Sequence, residues 1–376
     1  MLASAPVEVD ARCHPMKIVH VESGRRLLGG AQQVIWLLDG LAKRGVDNLL
    51  VCPPDSAIDK TARRRAIPVE NLKCSGDLDL RFAWRLRQFV RRQQPDVVHC
   101  HSRRGADFLG GQALSLTGVA AVLSRRVDHS EAPPLAKLRY RPYRKVIAIS
   151  DHIATVLTDG GLGPKRLEII RSSVNLDSID TAPDCATFRR EFGLESHHFV
   201  VAMIAQLIPR KGHRFLLDVL PKLRDLYPNI RVILFGSGPG EAHLRELVMR
   251  LSLDDTVQFA GFRENLDDYL ACIDLLVHPA VQEGLGVAML KAAAAGVPVL
   301  AFDTAGSREA VVHGKTGVLV PPDDLGKLQQ AIGVLIDEPE MRRALGRAGR
   351  QRMKDEFSVA LMVERHIKLY ESLANG

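Results

Sequence analysis

The sequence predicts an α/β protein with two domains, each built on a parallel β-sheet that is covered by helices on both faces. The chain has 376 residues, which is more than one ordinary hydrophobic core holds and suits two domains. Short apolar strands alternate with amphipathic helices along the chain, as in parallel sheets. A polar segment at 172–187 separates two such series and indicates a linker.

The first series fills the first half of the chain. Five apolar runs predict strands, at 18–21, 48–52, 96–100, 119–123 and 145–149. The helix after the first strand has apolar side chains at helical spacing from Val34 to Leu41, and Gly45 is a typical helix stop. A later helix near 81–92 has one apolar and one arginine-rich face, and Pro95 ends it.

The second series predicts six strands, at 199–205, 230–235, 256–259, 274–278, 297–301 and 317–320. Three helices close the chain, the last near 357–373. We therefore predict a flexible extension at 1–15 and an N-terminal domain at 16–172, which the C-terminal helix at 357–376 joins. A C-terminal domain is predicted at 173–356. Ligands of such sheets bind beyond the carboxyl ends of the strands.

Composition excludes several classes of protein. No apolar run approaches the ~20 residues of a membrane-spanning helix. The start of the chain carries Glu8 and Asp10 and lacks the apolar core of a signal peptide. The six cysteines have no metal-site spacing, so we expect free thiols in a reducing compartment, the cytoplasm.

The net charge of +7 is unevenly placed. Residues 1–172 hold 28 basic and 17 acidic side chains, whereas the remainder holds 23 basic and 27 acidic ones. The basic excess in residues 1–172 indicates either a solvated basic face or an acidic partner. The candidate partners are an anionic lipid, a phosphorylated glycolipid and a nucleic acid. The low aromatic content of 5%, with no stacking motif, argues against nucleic acid.

Several strand-to-helix turns suit phosphate or sugar. Gly29 and Gly30 open a helix, which either lets the backbone approach a phosphate or forms an ordinary turn. Arg210 and Lys211 precede Gly212 at a helix start and suit a diphosphate, although a surface turn has the same pattern. The glycine run from 236 to 240 lacks the third glycine of a dinucleotide fingerprint, because position 241 is Glu, so we reject a dehydrogenase.

The segment 278–287 is the richest in site features. A buried strand ending at His278 leads to Glu283, and a Gly-x-Gly turn then opens a helix. Backbone N–H groups there can bind phosphate or sugar oxygens, and the carboxylate can accept hydrogen bonds from sugar hydroxyls. The alternative is that Glu283 only caps the helix.

This segment, with the alanine-rich stretch at 292–299, resembles the donor site of retaining glycosyltransferases of family 4. The resemblance extends from Met16 over nearly the whole chain. It includes Gly29-Gly30, the strand end at 96–99, the segments 146–150, 211–212, 236–239 and 259–262, and the triplet 309–311. It implies the GT-B fold, in which two Rossmann-like domains with parallel sheets face an interdomain cleft, and transfer with retention of the anomeric configuration.

The resemblance also implies a role for each matching residue. Gly29 and Gly30 approach the donor diphosphate, and Lys211 neutralises it as it leaves. Glu283 holds the transferred sugar, together with the backbone of Gly284, Leu285, Gly286 and Val287. Phe262 and Arg263 lie near the base pocket. His129, after Asp128, resembles a histidine that faces the sugar, and the strand end with His99 and His101 lies near the acceptor. The alternative for His129 is a plain loop histidine.

Two positions depart from the family pattern. Lys291 stands where the family usually has a glutamate that binds the ribose, and an ammonium can donate to a hydroxyl but cannot accept from it. Gln206 stands where an arginine is usual, and we expect Arg210 to supply the missing cation. These departures leave open a non-catalytic nucleotide-sugar-binding or scaffold protein, and a nucleotide-sugar epimerase is a further alternative.

We predict no cofactor and no metal. His99 and His101 bracket Cys100, but we find no further ligand at suitable spacing, and we expect one buried histidine in a turn. Asp77 and Asp79 mimic a metal motif but precede a helix, where aspartate caps well. The expected substrates are a nucleotide sugar and a glycan or glycolipid, such as a lipopolysaccharide core.

The expected membrane contact is peripheral, at the inner face of the cell membrane. Three arginine-rich segments, at 63–65, 103–104 and 125–126, are predicted to meet anionic lipid or phosphate. No nucleic-acid partner is expected.

Overall fold

The computed structural model describes residues 16–101, 103–179 and 183–375, so the predicted extension at 1–15 lies outside the described part. The chain divides into two compact units. The first comprises the described residues up to Ser124, Pro134–Val146 and the chain from Val363 onward. The second comprises Arg125–Pro133 and Ile147–Met362. The predicted domain boundaries at 172 and 356 stay predictions.

The first sheet has seven strands, in the order β3-β2-β1-β4-β5-β6-β7. They are β1 (Lys17–Val21), β2 (Asp47–Cys52), β3 (Val69–Asn71), β4 (Val97–Cys100), β5 (Ala120–Arg125), β6 (Lys145–Ala148) and β7 (Leu167–Ile169). The associated helices are α1 (Gly29–Ala42), α2 (Ala57–Arg64), α3 (Leu80–Gln93), α4 (Gly111–Ser115), α5 (Pro133–Tyr140) and α6 (Asp151–Asp159). A π-helix at Arg103–Gly110 precedes α4.

The second sheet has six strands, in the order β10-β9-β8-β11-β12-β13. They are β8 (Phe199–Ile204), β9 (Ile230–Phe235), β10 (Val257–Gly261), β11 (Leu275–His278), β12 (Val299–Phe302) and β13 (Gly317–Val320), and all their pairings are parallel. The later helices are α7 (Cys185–Glu191), α8 (His213–Leu226), α9 (Glu241–Arg250), α10 (Val287–Ala294), α11 (Ala305–Ala310), α12 (Leu325–Asp337), α13 (Pro339–Glu356) and α14 (Val359–Ala374).

Side-chain alternation builds a core on each face of the second sheet. Val200 and Ala202 of β8 pack into one core, whereas Val201 and Met203 pack into the other. A strand that is buried on both faces has no polar side, which is why β8 is a continuous apolar run in the sequence. The predicted α/β class with two Rossmann-like parallel sheets is confirmed.

Strand order fixes where loops meet. In each sheet the first strand lies between the second and the fourth, so the connections run in opposite directions from this point. Ligands of doubly wound sheets bind at this switch point, beyond the carboxyl ends of the two central strands. In the second sheet these strands are β8 and β11, and they lead to the predicted Lys211 and Glu283 segments.

The cysteine prediction is wrong at one pair. Cys185 and Cys272, expected as free thiols, form a disulfide with a Cα–Cα distance of 5.3 Å. The two lie 87 residues apart, so nothing in the local pattern indicates their pairing. The disulfide removes the cysteine argument for a reducing compartment.

The predicted linker also contains the start of α7. No helix in the described ranges is both long and apolar enough to cross a membrane.

Candidate functional site

Three side chains meet at the switch point of the second sheet. The Lys211 ammonium lies 2.5 Å from Oε2 of Glu283, and Nε2 of His278 lies 2.8 Å from the same oxygen. The other carboxylate oxygen accepts the backbone N–H of Gly284 at 3.1 Å. The side chains of Lys211 and Glu283 are only 12% and 11% exposed. The structure therefore brings together two residues that the sequence predicts as site residues, and it adds His278.

Glycines let the two loops approach backbone to backbone. Gly212 has a positive φ of 79°, and a Cβ at this position would lie 1.8 Å from the carbonyl oxygen of Pro279. A Cβ on Gly306 of α11 would lie 2.1 Å from the carbonyl oxygen of Glu283. No side chain fits at either place. These contacts hold the Glu283 loop between the start of α8 and the start of α11.

The carboxylate of Glu283 is held as an anion. Burial alone would raise its pKa, but the hydrogen bond from His278, the charge of His278 and the Lys211 ammonium together outweigh burial and hold the pKa well below its ordinary value. His213, at the start of α8, is buried beside them. Burial, with His278 and Lys211 nearby, lowers the pKa of His213 to about 4. The group therefore combines the Glu283 anion, the Lys211 cation and the neutral imidazole of His213.

Helix α10 begins immediately after the Glu283 loop. Its N-cap is Gly286, with a positive φ of 77°, and no side chain caps this end of the helix. The capping alternative for Glu283 is therefore wrong, because its carboxylate bonds to Lys211, His278 and the adjacent N–H. The N-terminal backbone of α10, with Gly284, Leu285 and Val287, keeps its dipole for an anionic or polar ligand.

The loop that carries Asp128 and His129 lies against this segment. A Cβ built on Gly284 would lie 4.0 Å from the Cβ of Asp128, within the second unit. His129 is exposed, and its carbonyl oxygen accepts a hydrogen bond from Arg125 at 2.7 Å. Arg125 is buried and forms an ion pair with Glu131, so the prediction that it meets lipid is wrong.

The departure at Lys291 has a partner that the sequence does not indicate. The Lys291 ammonium lies 2.6 Å from the Asp267 carboxylate, and both side chains are largely buried. The other oxygen of Asp267 accepts from the Ser178 hydroxyl at 3.2 Å. A carboxylate is therefore present beside the position where the family usually has one, although another segment supplies it. Gln206 is exposed at the end of β8.

The remaining predicted donor residues lie in the same unit. Phe262 is exposed after β10. Arg263 lies 2.6 Å from Glu191 of α7 and donates to the carbonyl of Ala260, so its guanidinium is held in place. Arg210 is exposed, and its guanidinium approaches the carbonyl of Gln282 at 3.4 Å. The roles of these side chains toward a donor stay predictions.

The glycine run after β9 has a structural explanation. Cβ atoms on Gly236 and Gly238 would lie 1.9 Å from the carbonyl of Ala205 and 2.5 Å from the carbonyl of Leu207. The run therefore lets this turn pack against the neighbouring turn after β8. This packing role agrees with our rejection of the dinucleotide fingerprint.

The predicted acceptor-side residues lie in the first unit. Nδ1 of His20 and Nε2 of His101 are 3.0 Å apart, and His99 contacts the Tyr370 hydroxyl at 2.6 Å and the Ser124 hydroxyl at 2.8 Å. All three histidines are buried, so both His99 and His101 are buried and not one of the two as predicted. Burial lowers the pKa of His20 to about 3.

The three histidines offer ligand atoms within 4.8 Å of one another. The sequence argument that no further metal ligand accompanies His99 and His101 is therefore wrong, because His20 is brought in by the pairing of β1 with β4. Both ring nitrogens of His99 are already within hydrogen-bond distance of hydroxyl groups.

Gly29 and Gly30 form the first turn of α1, as predicted. In the first unit, Asp79 caps α3, which confirms the capping prediction.

Two family models match the chain. "Glycosyltransferase Family 4" matches residues 28–178, and "Glycosyl transferases group 1" matches residues 185–352. The lipopolysaccharide core biosynthesis glycosyltransferase LpsD of Rhizobium meliloti is 26% identical over 361 residues, which cover 95% of this chain and 98% of that protein. These matches support glycosyl transfer over the epimerase and non-catalytic alternatives.

A second relative matches over a shorter region. The GDP-mannose-dependent monoacylated alpha-(1-6)-phosphatidylinositol monomannoside mannosyltransferase of Corynebacterium glutamicum is 34% identical over 201 residues, and the match spans about half the length of each chain (51% and 52%). The structure also resembles that of Anabaena Alr3699/HepE in complex with UDP and glucose. The TM-score is 0.86 at 22% identity, over 95% of this chain and 100% of that one, which shows a shared fold.

Proposed function

The chain belongs to family 4 of the glycosyltransferases, with the GT-B fold, and we propose that it moves a hexosyl group from a nucleotide-diphospho-sugar to a hydroxyl of a glycan or glycolipid acceptor. The observation that carries the proposal is the Lys211–Glu283–His278 group at the switch point of the second sheet. A fixed cation and a fixed anion stand side by side there, next to the N-terminus of α10. This arrangement suits a ligand with a diphosphate at one end and hydroxyls at the other.

The cation stabilises the leaving group. As the bond from the sugar to the diphosphate breaks, negative charge builds on the diphosphate, and Lys211 and the α10 dipole lower the energy of that state. Arg210 adds a second cation. Because protein groups supply this stabilisation, the proposed reaction requires no cofactor and no metal.

The anion orients the sugar. A carboxylate whose pKa lies well below its ordinary value carries no proton at neutral pH, so Glu283 accepts hydrogen bonds from sugar hydroxyls and does not serve as a general acid. His278 fixes the position of this carboxylate. His129, next to Asp128, completes the proposed sugar site, and transfer proceeds with retention of configuration.

The proposed acceptor is a lipopolysaccharide core or a related glycolipid. The similarity to LpsD over nearly the full length of both chains supports this class. The basic excess of residues 1–172 suits an acceptor that carries phosphate at an anionic membrane. We place the reaction at the cytoplasmic face of the membrane, with peripheral contact.

A thermal-shift panel without metal tests the donor site. UDP, GDP, ADP and CMP, each alone and with common sugars attached, are added to the full chain. A ligand at about 100 times its dissociation constant adds roughly 2.7 kcal/mol to stability. We expect one base to be preferred, and product NMR then reports the anomeric configuration. No shift with any nucleotide contradicts the proposal.

Two variants separate the two ends of the donor. We expect Lys211→Met to lose most of the shift with the nucleoside diphosphate. Glu283→Gln keeps that shift but loses the additional shift that the attached sugar gives. Lys222→Met, which removes an exposed lysine of α8, is the control and keeps both. Equal behaviour of all three variants contradicts the assigned roles.

A further inference from the structure

Large apolar side chains are exposed at the start of α3. Leu78, Leu80 and Trp84 are 80%, 73% and 62% exposed. Leu80 and Trp84 are four residues apart, so they lie on the same face of the helix. Leu116 is also exposed and lies beside the later part of α3, where the Arg91 guanidinium approaches its carbonyl oxygen at 3.4 Å. We call these four apolar residues the α3 patch.

The surroundings of the α3 patch are cationic. Helix α3 contains five arginines and no acidic residue, and Arg81, Arg91 and Arg92 are exposed. Within the described part of the chain, no ion pair involves these three arginines. The two acidic residues of the preceding loop face the backbone, since Asp79 caps α3 and Asp77 accepts an N–H of the π-helix. Apolar groups and uncompensated positive charge therefore share one surface.

Three arginines of the predicted basic segments are paired with acidic side chains, whereas the side chains at 103–104 lie outside the described part of the chain. Arg63 pairs with Asp59 at 2.8 Å, and Arg65 pairs with Asp39. Arg125 is buried and pairs with Glu131. On α3, by contrast, Arg81, Arg91 and Arg92 have no acidic partner among the described residues, so positive charge remains on the helix that the sequence predicts to have an arginine-rich face.

One end of the α3 patch, with Leu78 and Leu80, lies at the carboxyl edge of the first sheet. Helix α3 follows β3, so its N-terminal end, with Leu78 and Leu80, starts from the carboxyl edge of this parallel sheet. That edge is where such sheets bind ligands, and His101 follows β4 at the same edge. A partner surface that docks here brings the molecules it carries close to the predicted acceptor-side residues.

We propose that the α3 patch, with Arg81, Arg91 and Arg92, docks on an anionic lipid bilayer. Tryptophan and leucine side chains enter the interfacial layer, where tryptophan is enriched, and arginines contact lipid phosphates. Charge complementarity selects an anionic surface, because the arginines of α3 repel a basic partner and gain no attraction from a neutral one. The benefit to acceptor capture rests on the proposed function, whereas docking itself does not depend on it.

Vesicle binding by the full chain tests the proposal. The probes are vesicles of phosphatidylcholine and vesicles with equimolar phosphatidylglycerol, used in flotation and in tryptophan fluorescence. The chain has two tryptophans, and Trp36 is buried, so a blue shift on binding reports Trp84. We expect flotation and a blue shift with the anionic vesicles alone, weakening at high salt.

Two variants remove the two components separately. The triple change Arg81→Gln, Arg91→Gln and Arg92→Gln lowers the partition constant about 100-fold, from roughly fivefold for each arginine near an anionic surface. The double change Leu80→Ser and Trp84→Ser lowers it by roughly tenfold or more for each apolar side chain. Because these side chains are exposed, both variants keep the unfolding temperature.

Matched controls use other exposed residues. Leu226→Ser with Met249→Ser removes two exposed apolar side chains of the second unit, and a triple glutamine change at 63–65 removes three other arginines. Both controls keep vesicle binding. The proposal is overturned if the patch variants float like the parent, if the controls lose as much, or if the parent binds neither vesicle.

Two further measurements separate lipid docking from donor binding and from self-association. Donor thermal shifts stay unchanged in the patch variants, so loss of vesicle binding with intact donor binding separates docking from the proposed function. A concentration-dependent dimer that Leu80→Ser with Trp84→Ser dissociates, without vesicle binding by the parent, assigns the patch to a second copy and overturns the proposal.

Discussion

Replacing Lys211 with methionine gives a sharp test of the charged group at the switch point. The Lys211 and Glu283 side chains are nearly buried, and their charged atoms are 2.5 Å apart. Methionine keeps most of the side-chain volume but leaves the carboxylate without its cation. Breaking a buried pair in this way costs about 3 kcal/mol or more in the free energy of unfolding at pH 7.

The same change has a separate effect on catalysis. If Lys211 stabilises the departing diphosphate, its loss lowers kcat by about 10²–10³-fold, as for other groups that stabilise charge in a transition state. Arg210→Met is the matched control for stability alone, because this neighbouring cation is exposed but is itself proposed to contact the diphosphate. We expect the control to change stability by less than about 0.5 kcal/mol.

A double variant separates stability from catalysis. Adding Glu283→Gln to Lys211→Met removes the uncompensated anion, and the amide can still bond to His278. We expect the double variant to regain about 2 kcal/mol relative to Lys211→Met, because the two sites are coupled, but to regain none of the lost kcat. Urea unfolding and donor turnover measure the two effects.

Two outcomes refute this reasoning. If Lys211→Met unfolds at the same denaturant concentration as Arg210→Met, the ion pair does not stabilise the loop. If the double variant is less stable than Lys211→Met by the full cost of Glu283→Gln, the two side chains act independently.

Three further predictions concern the same unit. Lys291→Glu places two carboxylates together and lowers the donor affinity about tenfold or more in thermal-shift titration. Adding Asp267→Lys restores part of the lost affinity. If Lys291→Glu binds the donor as tightly as the parent protein, this pair has no role in donor binding. Gly212→Ala forces the backbone of Gly212 away from that of Pro279 and lowers the free energy of unfolding by about 3 kcal/mol or more. Gly314→Ala is the control, because Gly314 has a similar positive φ but a Cβ there meets no atom within 4 Å. We expect this control to cost about 1 kcal/mol in denaturant unfolding. Because the pKa of His213 is lowered to about 4, the unfolded chain binds a proton that the folded chain does not as the pH falls from 6.5 to 4. Stability is therefore lost over this window, by about 3 kcal/mol for this group, and His213→Leu flattens the measured dependence.

The sequence located eleven of the thirteen strands and most of the donor segment, but it missed β3 and β7, which are each only three residues long. Apolar periodicity is local, so strands such as β9 and β13 have the predicted bounds, and others differ by one or two residues at their ends. The family resemblance identified Lys211 and Glu283 from the chemistry of the turns. It could not show that their charges touch, because 72 residues separate them.

The tertiary structure decided which of these residues act together. Strand order places the turns after β8 and β11 side by side, and glycine contacts such as that of Gly212 with Pro279 set their distance. The same long-range packing pairs Lys291 with Asp267, joins Cys185 to Cys272, and buries Arg125. None of these pairings has a sequence signal, since each depends on how separate segments pack. Residue types and periodicity thus determined the elements and the available chemistry of this protein, whereas packing between distant segments determined which charges are neutralised, which are buried, and which remain for a ligand.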